Sequence, residues 1–128
     1  MTPVIRTRIL IIEDDAGIRE FMRQALEPLH DVLLASNGPD GLAQAQREAP
    51  QLILLDLRMP GMDGLAVLSR LKANPKTGSI PDIIVSGRGD TDALMEGQRA
   101  GAVDHVIKPF RIEELYAVVQ RQLSIFGK

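Results

Sequence analysis

Residues 52–64, LILLDLRMPGMDG, contain the pattern that decides the fold. Four consecutive apolar residues are followed by Asp56, by a loop that contains Pro and Gly, and then by leucines at helical spacing from Leu65 onward. A continuous apolar run of this length is typical of a strand that is buried on both faces of a sheet. Asp63 stands where the N-cap of the helix is expected. The stretch is therefore predicted to form a buried strand, a turn-rich loop and a helix.

The same strand-then-helix pattern occurs on both sides of this stretch. The apolar runs lie at residues 9–12, 32–35, 52–55, 83–85 and 103–107, and each is followed by apolar residues at helical spacing. Strands that alternate with helices form parallel sheets, and right-handed crossovers place helices on both faces. The sequence therefore predicts an α/β fold with a doubly wound, five-stranded parallel sheet and five helices.

The ends of the helices are predicted from local signals. The first helix is predicted to present one apolar face over residues 18–29, with His30 as a surface residue at its end. Gly101 is predicted to end the fourth helix. Residues 124–128 are predicted to form a short linker after the last helix.

The composition fits one domain over residues 1–128 and argues against several kinds of protein. The net charge is −2, so no bulk basic surface is expected to bind nucleic acid or an anionic membrane. The absence of Cys excludes disulfides and thiolate metal sites. The first residues lack the pattern of a secretion signal, and no run approaches the ~20 apolar residues that span a bilayer. We therefore expect a cytoplasmic location.

Polar residues follow the apolar runs where the predicted strands end. They are Glu13 and Asp14 after the first run, Asp56 after the third, Ser86 after the fourth and Lys108 after the fifth. Ligands of open parallel sheets bind at the carboxyl ends of the strands, so these side chains are expected to meet. Each acid alone could simply cap the next helix, but converging carboxylates repel one another unless a cation lies between them. Oxygen ligands without His or Cys favour Mg²⁺, which is predicted to bind at Glu13, Asp14 and Asp56.

Asp56 has a second predicted role. A carboxylate beside Mg²⁺ can attack a phosphorus centre and form an acyl phosphate. Phosphoryl transfer depends on positioning and on neutralising charge, which the ion, Lys108 and the Ser86 hydroxyl would supply to the phosphoryl oxygens. The alternative for Lys108 is a solvated surface lysine, but the following Pro109 restricts its backbone to extended conformations.

Four motifs together resemble the receiver domain of two-component response regulators. They are residues 11–15 (IIEDD), 54–64 (LLDLRMPGMDG), 84–86 (IVS) and 106–110 (VIKPF). Each motif is weak alone, but all four occur in the family's order, and the resemblance covers about residues 7–124. It implies the flavodoxin-like strand order 2-1-3-4-5 of CheY-like proteins and a signalling switch rather than a metabolic enzyme.

The resemblance also implies a ligand set for the metal. Asp14 would bind Mg²⁺ directly and Glu13 through water, while Asp56 and the backbone carbonyl of Arg58 would supply further ligands. Asp56 would be the phosphoacceptor.

The remaining roles implied by the resemblance concern the phosphoryl group. Ser86 would bind it and move toward it, Lys108 would form an ion pair with it, and the Lys108–Pro109 peptide would be cis. The donor would be a phosphohistidine on a sensor histidine kinase or a histidine phosphotransfer protein, or a small molecule such as acetyl phosphate. An effector or output domain would bind the face formed by the fourth helix, fifth strand and fifth helix, and a homodimer is an open alternative. Whether the domain stands alone or belongs to a longer regulator also stays open.

Three residues depart from the family's usual pattern. The family commonly has Tyr or Phe three residues before the Lys, where this chain has His105, so the switch from Ser86 to His105 could respond to pH or could simply use a half-buried ring. Arg58 and Arg88 stand two residues after Asp56 and Ser86, at positions that flank the path of the hydrolytic water. They are predicted to slow self-dephosphorylation, and the alternative is that both are solvated.

Three other functions are weighed against the receiver. A flavodoxin-like FMN binder is disfavoured because the acids at residues 13–15 would repel a phosphate. A haloacid-dehalogenase-type phosphatase would need a second Asp where this chain has Arg58. A degenerate receiver that binds partners without phosphorylation stays the main alternative.

Overall fold

The computed structural model describes residues 6–126 and confirms the predicted α/β fold. The strands are β1 (Thr7–Ile12), β2 (His30–Ala35), β3 (Leu52–Asp56), β4 (Asp82–Gly87) and β5 (Asp104–Lys108). The helices are α1 (Ala16–Leu26), α2 (Gly38–Glu48), α3 (Gly64–Ala73), α4 (Thr91–Arg99) and α5 (Ile112–Phe126). Strand and helix alternate along the described residues, as the five apolar runs predict.

The strands form one parallel sheet in the order β2-β1-β3-β4-β5, which confirms the order implied by the resemblance. β3 lies in the centre, and all of its residues are buried. Its last residue, Asp56, is in register with Val85 of β4. Because all pairs are parallel, the polar residues at the ends of the strands lie at one edge of the sheet.

The two faces of the sheet carry separate apolar cores because side chains alternate along each strand. On one face, Leu54 lies in a cluster with Leu26 of α1 and Leu115 of α5. On the other face, Leu55 lies in a cluster with Leu68 of α3 and further residues of α2. Both faces of β3 are thus covered by helices, which explains its unbroken apolar run.

Side-chain caps begin three of the helices. Asp15, Asn37 and Asp63 each accept a hydrogen bond from the backbone N–H three residues ahead, at 2.9, 2.8 and 2.9 Å. Such a cap stabilises a helix by ~1 kcal/mol, and the cap at Asp63 confirms the prediction. Asp90 stands at the same position before α4 but makes no capping bond.

A glycine in α4 brings this helix close to the sheet. Gly97 is the residue of α4 that is buried, whereas α3 buries Gly64, Val67, Leu68 and Leu71. A Cβ added at Gly97 would lie 2.1 Å from Ile84 Cδ1 of β4. Glycine at this position therefore lets the helix approach the strand.

A buried ion pair lies at the amino end of the sheet, opposite the edge where the strands end. Asp82, the first residue of β4, is fully buried, and its Oδ2 lies 2.7 Å from Lys72 Nζ on α3. The same ammonium group donates to the carbonyls of Gly78 at 3.1 Å and Ile80 at 2.7 Å. Burial raises the pKa of Asp82 to about 6, although Lys72 opposes the rise. Lys72 therefore holds the loop between α3 and β4 to the sheet.

The structure corrects the predicted end of the first helix. α1 ends at Leu26, so Leu29 lies outside the helix and is 58% exposed. His30 is not a surface residue, because it begins β2 and is buried. The Arg6 guanidinium donates to the His30 carbonyl at 2.8 Å and so helps to direct the chain into the strand.

The other two predicted helix ends differ in outcome. Gly101 follows α4 with φ 116°, as predicted. The predicted linker at residues 124–128 is wrong up to Phe126, because α5 continues to that residue; residues 127–128 lie outside the described part of the chain. Within residues 6–126, no helix is both long and apolar enough to cross a bilayer.

Candidate functional site

The three acids predicted to hold a metal come together at the carboxyl edge of the sheet. One carboxylate oxygen each from Glu13, Asp14 and Asp56 lie within 4.8 Å of one another. Glu13 and Asp56 are 1% and 3% exposed, and Asp14 is more exposed. Asp15 has a different role, because its carboxylate caps the start of α1.

Lys108 contacts both buried acids. Its Nζ lies 2.9 Å from Glu13 Oε1 and 3.2 Å from Asp56 Oδ1. Asp56 Oδ1 also accepts a hydrogen bond from the backbone N–H of Arg58 at 3.3 Å. The Lys108–Pro109 peptide is cis, as the resemblance implies. The ends of β1, β3 and β5 thus meet in one polar cluster.

This cluster holds more negative charge than one lysine neutralises. Burial, together with the neighbouring Asp56 carboxyl, raises the pKa of Glu13 to about 7. Burial also raises the pKa of Asp56, although a hydrogen bond with Glu13 and the charge of Lys108 oppose the rise. Burial alone would lower the pKa of Lys108, but the carboxylates of Glu13 and Asp56 outweigh it and raise that pKa. The cluster therefore favours the binding of another cation.

The donor set fits Mg²⁺. Three carboxylates converge without any His or Cys, and oxygen ligands of this kind suit a hard divalent cation. A cation among them would let Glu13 and Asp56 ionise together, because it would offset the repulsion and burial that raise their pKa values.

Ser86 has an unused hydrogen-bonding group beside this cluster. It follows Val85, which is in register with Asp56. Its side chain is 1% exposed, and its Oγ has no hydrogen-bond partner among residues 6–126. Buried hydroxyls normally have a partner, so this hydroxyl is available to a group bound at Asp56.

His105 lies on β5, in register with Ile84, and is half-buried. Its Nδ1 is buried and has no hydrogen-bond partner within the described residues. Ser86 is in register with Ile107, two residues further along the same strand. The proposed coupling of Ser86 to His105 is compatible with this placement and stays a prediction.

The two arginines at the site have different surroundings. The Arg58 guanidinium forms an ion pair with Asp90, with Nε 2.5 Å from Oδ1. This contact raises the pKa of Arg58 and lowers the pKa of Asp90. Arg88 is exposed in the loop between β4 and α4. The two arginines thus differ in their contacts, and their predicted effect on self-dephosphorylation stays a prediction.

Asp90 is a site residue that the sequence analysis missed. It precedes the helix pattern that begins at Thr91, and an Asp in that position is normally read as a helix cap. The only available signal was the presence of an acid next to the Ser86 motif, and that signal does not distinguish the two roles.

Gly64 brings α3 close to the phosphoacceptor candidate. A Cβ at this position would lie 2.3 Å from the Asp56 carbonyl oxygen and 2.5 Å from Leu57 Cα. Its backbone N–H donates to the Leu57 carbonyl at 2.9 Å. Only glycine allows this approach without moving the end of β3.

An apolar groove of about 430 Å³ borders the cluster and was also missed. It is lined by Gly17, Ile18, Phe21, Lys108, Pro109 and Phe110. Phe21, predicted to lie on the buried face of α1, is 41% exposed, and its ring centroid lies 5.9 Å from that of Phe110. A partly exposed aromatic pair therefore lies next to Lys108.

The chain is similar to known proteins in sequence and in fold. The sequence model of the family described as response regulator receiver domain matches residues 9–120 of this chain. The chain is 33% identical over 123 residues to Sporulation initiation phosphotransferase F of Bacillus subtilis (strain 168), covering 95% of this chain and 98% of that protein. It is 39% identical over 123 residues to Response regulator PleD of Caulobacter vibrioides, covering 93% of this chain but only 26% of PleD. A solved structure of a putative response regulator from Chloroflexus aurantiacus J-10-fl has a TM-score of 0.86 at 30% identity, covering 97% of this chain and 100% of that one.

Proposed function

This chain belongs to the response regulator receiver domain family, and from that premise we propose that it takes a phosphoryl group from a phosphohistidine onto Asp56. The observation that carries the proposal is the contact of Lys108 with both Glu13 and Asp56, next to a Ser86 hydroxyl that has no partner in the described part of the chain. This arrangement offers a nucleophile, a counter-charge and a hydrogen-bond donor at one edge of the sheet. The chain would act as a signalling switch with one receiver domain over about residues 7–124, catalysing only its own phosphoryl transfer and slow self-dephosphorylation.

A bound Mg²⁺ ion would be held by Glu13, Asp14, Asp56 and the backbone carbonyl of Arg58. It would supply positive charge to the phosphoryl oxygens, which is what this kind of transfer needs most. Asp56 would be ionised in that state, and the carboxylate is the form that acts as a nucleophile.

The proposed transfer needs no further reactant. A carboxylate oxygen of Asp56 forms a bond to phosphorus while the bond between phosphorus and the donor's imidazole nitrogen breaks. The electron pair of the broken bond stays on the imidazole. Lys108, whose Nζ lies 3.2 Å from Asp56 Oδ1, would pair with one phosphoryl oxygen, and Ser86 Oγ would donate to another.

Two surfaces would serve partners. The apolar groove at Phe21 and Phe110 borders Lys108, so a sensor histidine kinase or histidine phosphotransfer protein bound there would have its phosphohistidine near Asp56. Ser86 and His105 would connect the site to the face of α4, β5 and α5, which would bind an effector, an output domain or a second copy of the chain. Because the chain spans only about a quarter of PleD, an output domain is proposed by analogy alone.

Intact mass spectrometry tests the proposal. The chain is incubated with Mg²⁺ and acetyl phosphate, beside an Asp56→Asn variant and a sample with EDTA. One added phosphoryl group that is absent from both controls is expected. If no adduct forms, beryllofluoride binding is measured, since some receivers could require their own kinase. Failure of both tests would favour the degenerate receiver that binds partners without phosphorylation.

A further inference from the structure

The carboxylate of Asp90 is turned away from the helix that it precedes. An Asp at the start of a helix usually accepts a hydrogen bond from the first turn, but Asp90 makes no such bond. Its Oδ2 instead accepts from the backbone N–H of Gly87 at 2.9 Å, and its Oδ1 accepts from Arg58 Nε at 2.5 Å. One carboxylate thus contacts both the residue after Ser86 and the residue two positions after Asp56.

Arg58 is tied to both sides of the site. Its backbone N–H donates to Asp56 Oδ1 at 3.3 Å, while its side chain crosses to Asp90 at the start of α4. The Arg58 side chain is 76% exposed, whereas the Asp90 side chain is 6% exposed and held by Gly87. The guanidinium is therefore the partner that is free to move to another anion.

We propose that Asp90 is a positioning residue that holds the Arg58 guanidinium away from a phosphoryl group on Asp56. This inference rests on the proposed function. Guanidinium groups bind phosphoryl oxygens well, often through two hydrogen bonds, so Arg58 would move to the phosphoryl group if Asp90 did not hold it. By holding Arg58 away, Asp90 makes the contacts to the phosphoryl group weaker and the lifetime of phosphorylated Asp56 shorter.

The test compares four variants with the unaltered chain. Asp90→Asn keeps an oxygen for the Gly87 N–H but removes the charge that holds Arg58. Arg58→Ala removes the guanidinium and keeps the backbone carbonyl, and the double variant combines the two changes. Asp92→Asn is the matched control, because Asp92 is an exposed acid in the first turn of the same helix.

Beryllofluoride affinity in the presence of Mg²⁺ and the lifetime of the acetyl-phosphate adduct are measured for each variant. Asp90→Asn is expected to raise the affinity and lengthen the lifetime about two- to fivefold, the upper part of the range measured for exposed ion pairs. Asp92→Asn is expected to change neither. In the Arg58→Ala background, Asp90→Asn is expected to have no effect, which separates positioning of Arg58 from a general loosening of the loop.

Each outcome is decisive. If the unaltered chain binds no beryllofluoride and forms no adduct, the proposed function fails. If the unaltered chain binds and Asp90→Asn changes nothing, or changes the affinity equally in the Arg58→Ala background, the positioning role of Asp90 is overturned while the proposed function stands.

Discussion

Lys72→Met should destabilise the chain by an amount that depends on pH. Asp82, its buried partner, has a pKa of about 6 in the folded chain, against 3.8 as the ordinary value. Between these two values the folded chain keeps a proton that the unfolded chain releases, so the stability of the unaltered chain falls as pH rises through this range. Each pKa unit is worth about 1.4 kcal/mol, so the fall amounts to about 3 kcal/mol.

The expected size of the effect follows from the contacts of Lys72. At pH 5 the Asp82 carboxyl is mostly protonated, and the variant loses mainly the hydrogen bonds to the Gly78 and Ile80 carbonyls. At about 1.5 kcal/mol each, the lower value for hydrogen bonds from a charged group, that loss is about 3 kcal/mol. At pH 8 the variant also leaves a fully buried carboxylate without its cation, so the loss should rise further, to about 5 kcal/mol.

Urea unfolding at pH 5 and pH 8 measures both losses. Lys76→Met is the control, because Lys76 is exposed in the loop that Lys72 holds, and it should change stability little at either pH. An equal destabilisation by Lys72→Met at both pH values would refute the reasoning, because Asp82 would then take no part in what Lys72 stabilises.

Three further predictions concern the site and its surroundings. Phe21→Ala should slow transfer from a phosphohistidine donor about tenfold more than labelling by acetyl phosphate, since only the protein donor would use the groove; equal slowing of both, measured by intact mass, would contradict this. Gly64→Ala should cost about 1–3 kcal/mol in urea unfolding, because a Cβ would lie 2.3 Å from the Asp56 carbonyl oxygen, and an unchanged midpoint would show that the end of β3 yields easily. In EDTA, Glu13→Gln should raise the free energy of unfolding at pH 8 but not at pH 4. The folded chain holds a proton on Glu13 up to about pH 7, whereas the unfolded chain releases it near pH 4.5. The unaltered chain therefore loses stability as pH rises between these two values, and the Gln variant does not. A stabilisation that is the same at both pH values would contradict the last prediction.

Most of the fold could be predicted because the strands are buried on both faces. Strands such as β3 have no solvent-facing side, so their sequences are unbroken apolar runs that end abruptly in a polar residue. The same rule predicts the site, since the residues that end parallel strands must meet at one edge. Glu13, Asp56 and Lys108 could therefore be placed together before their contacts were known.

The parts that could not be predicted depend on contacts between distant segments. The burial of His30 depends on its place in the sheet and on α5, where Gln120 Nε2 lies 3.4 Å from His30 Nε2. No local pattern reports such a neighbour, and a polar residue after a helix pattern normally indicates the surface. Asp90 is a similar case, because its local position predicts a helix cap while its partner, Arg58, lies on a different loop.

The close approach of α4 to β4 has a consequence for the energetics of signalling. α4 buries only Gly97 fully and has no side-chain cap, so fewer buried side chains hold it to the sheet than hold α3. The coupling between a ligand and a distant surface is typically about 1–3 kcal/mol, so it acts most easily on an element that is held by few buried contacts. A coupling free energy of that size would not displace α3, because its buried side chains pack in the core. A larger residue at position 97 would lift α4 from the sheet, because a Cβ there would lie 2.1 Å from Ile84 Cδ1, and the helix would then transmit a different position to any partner bound on it.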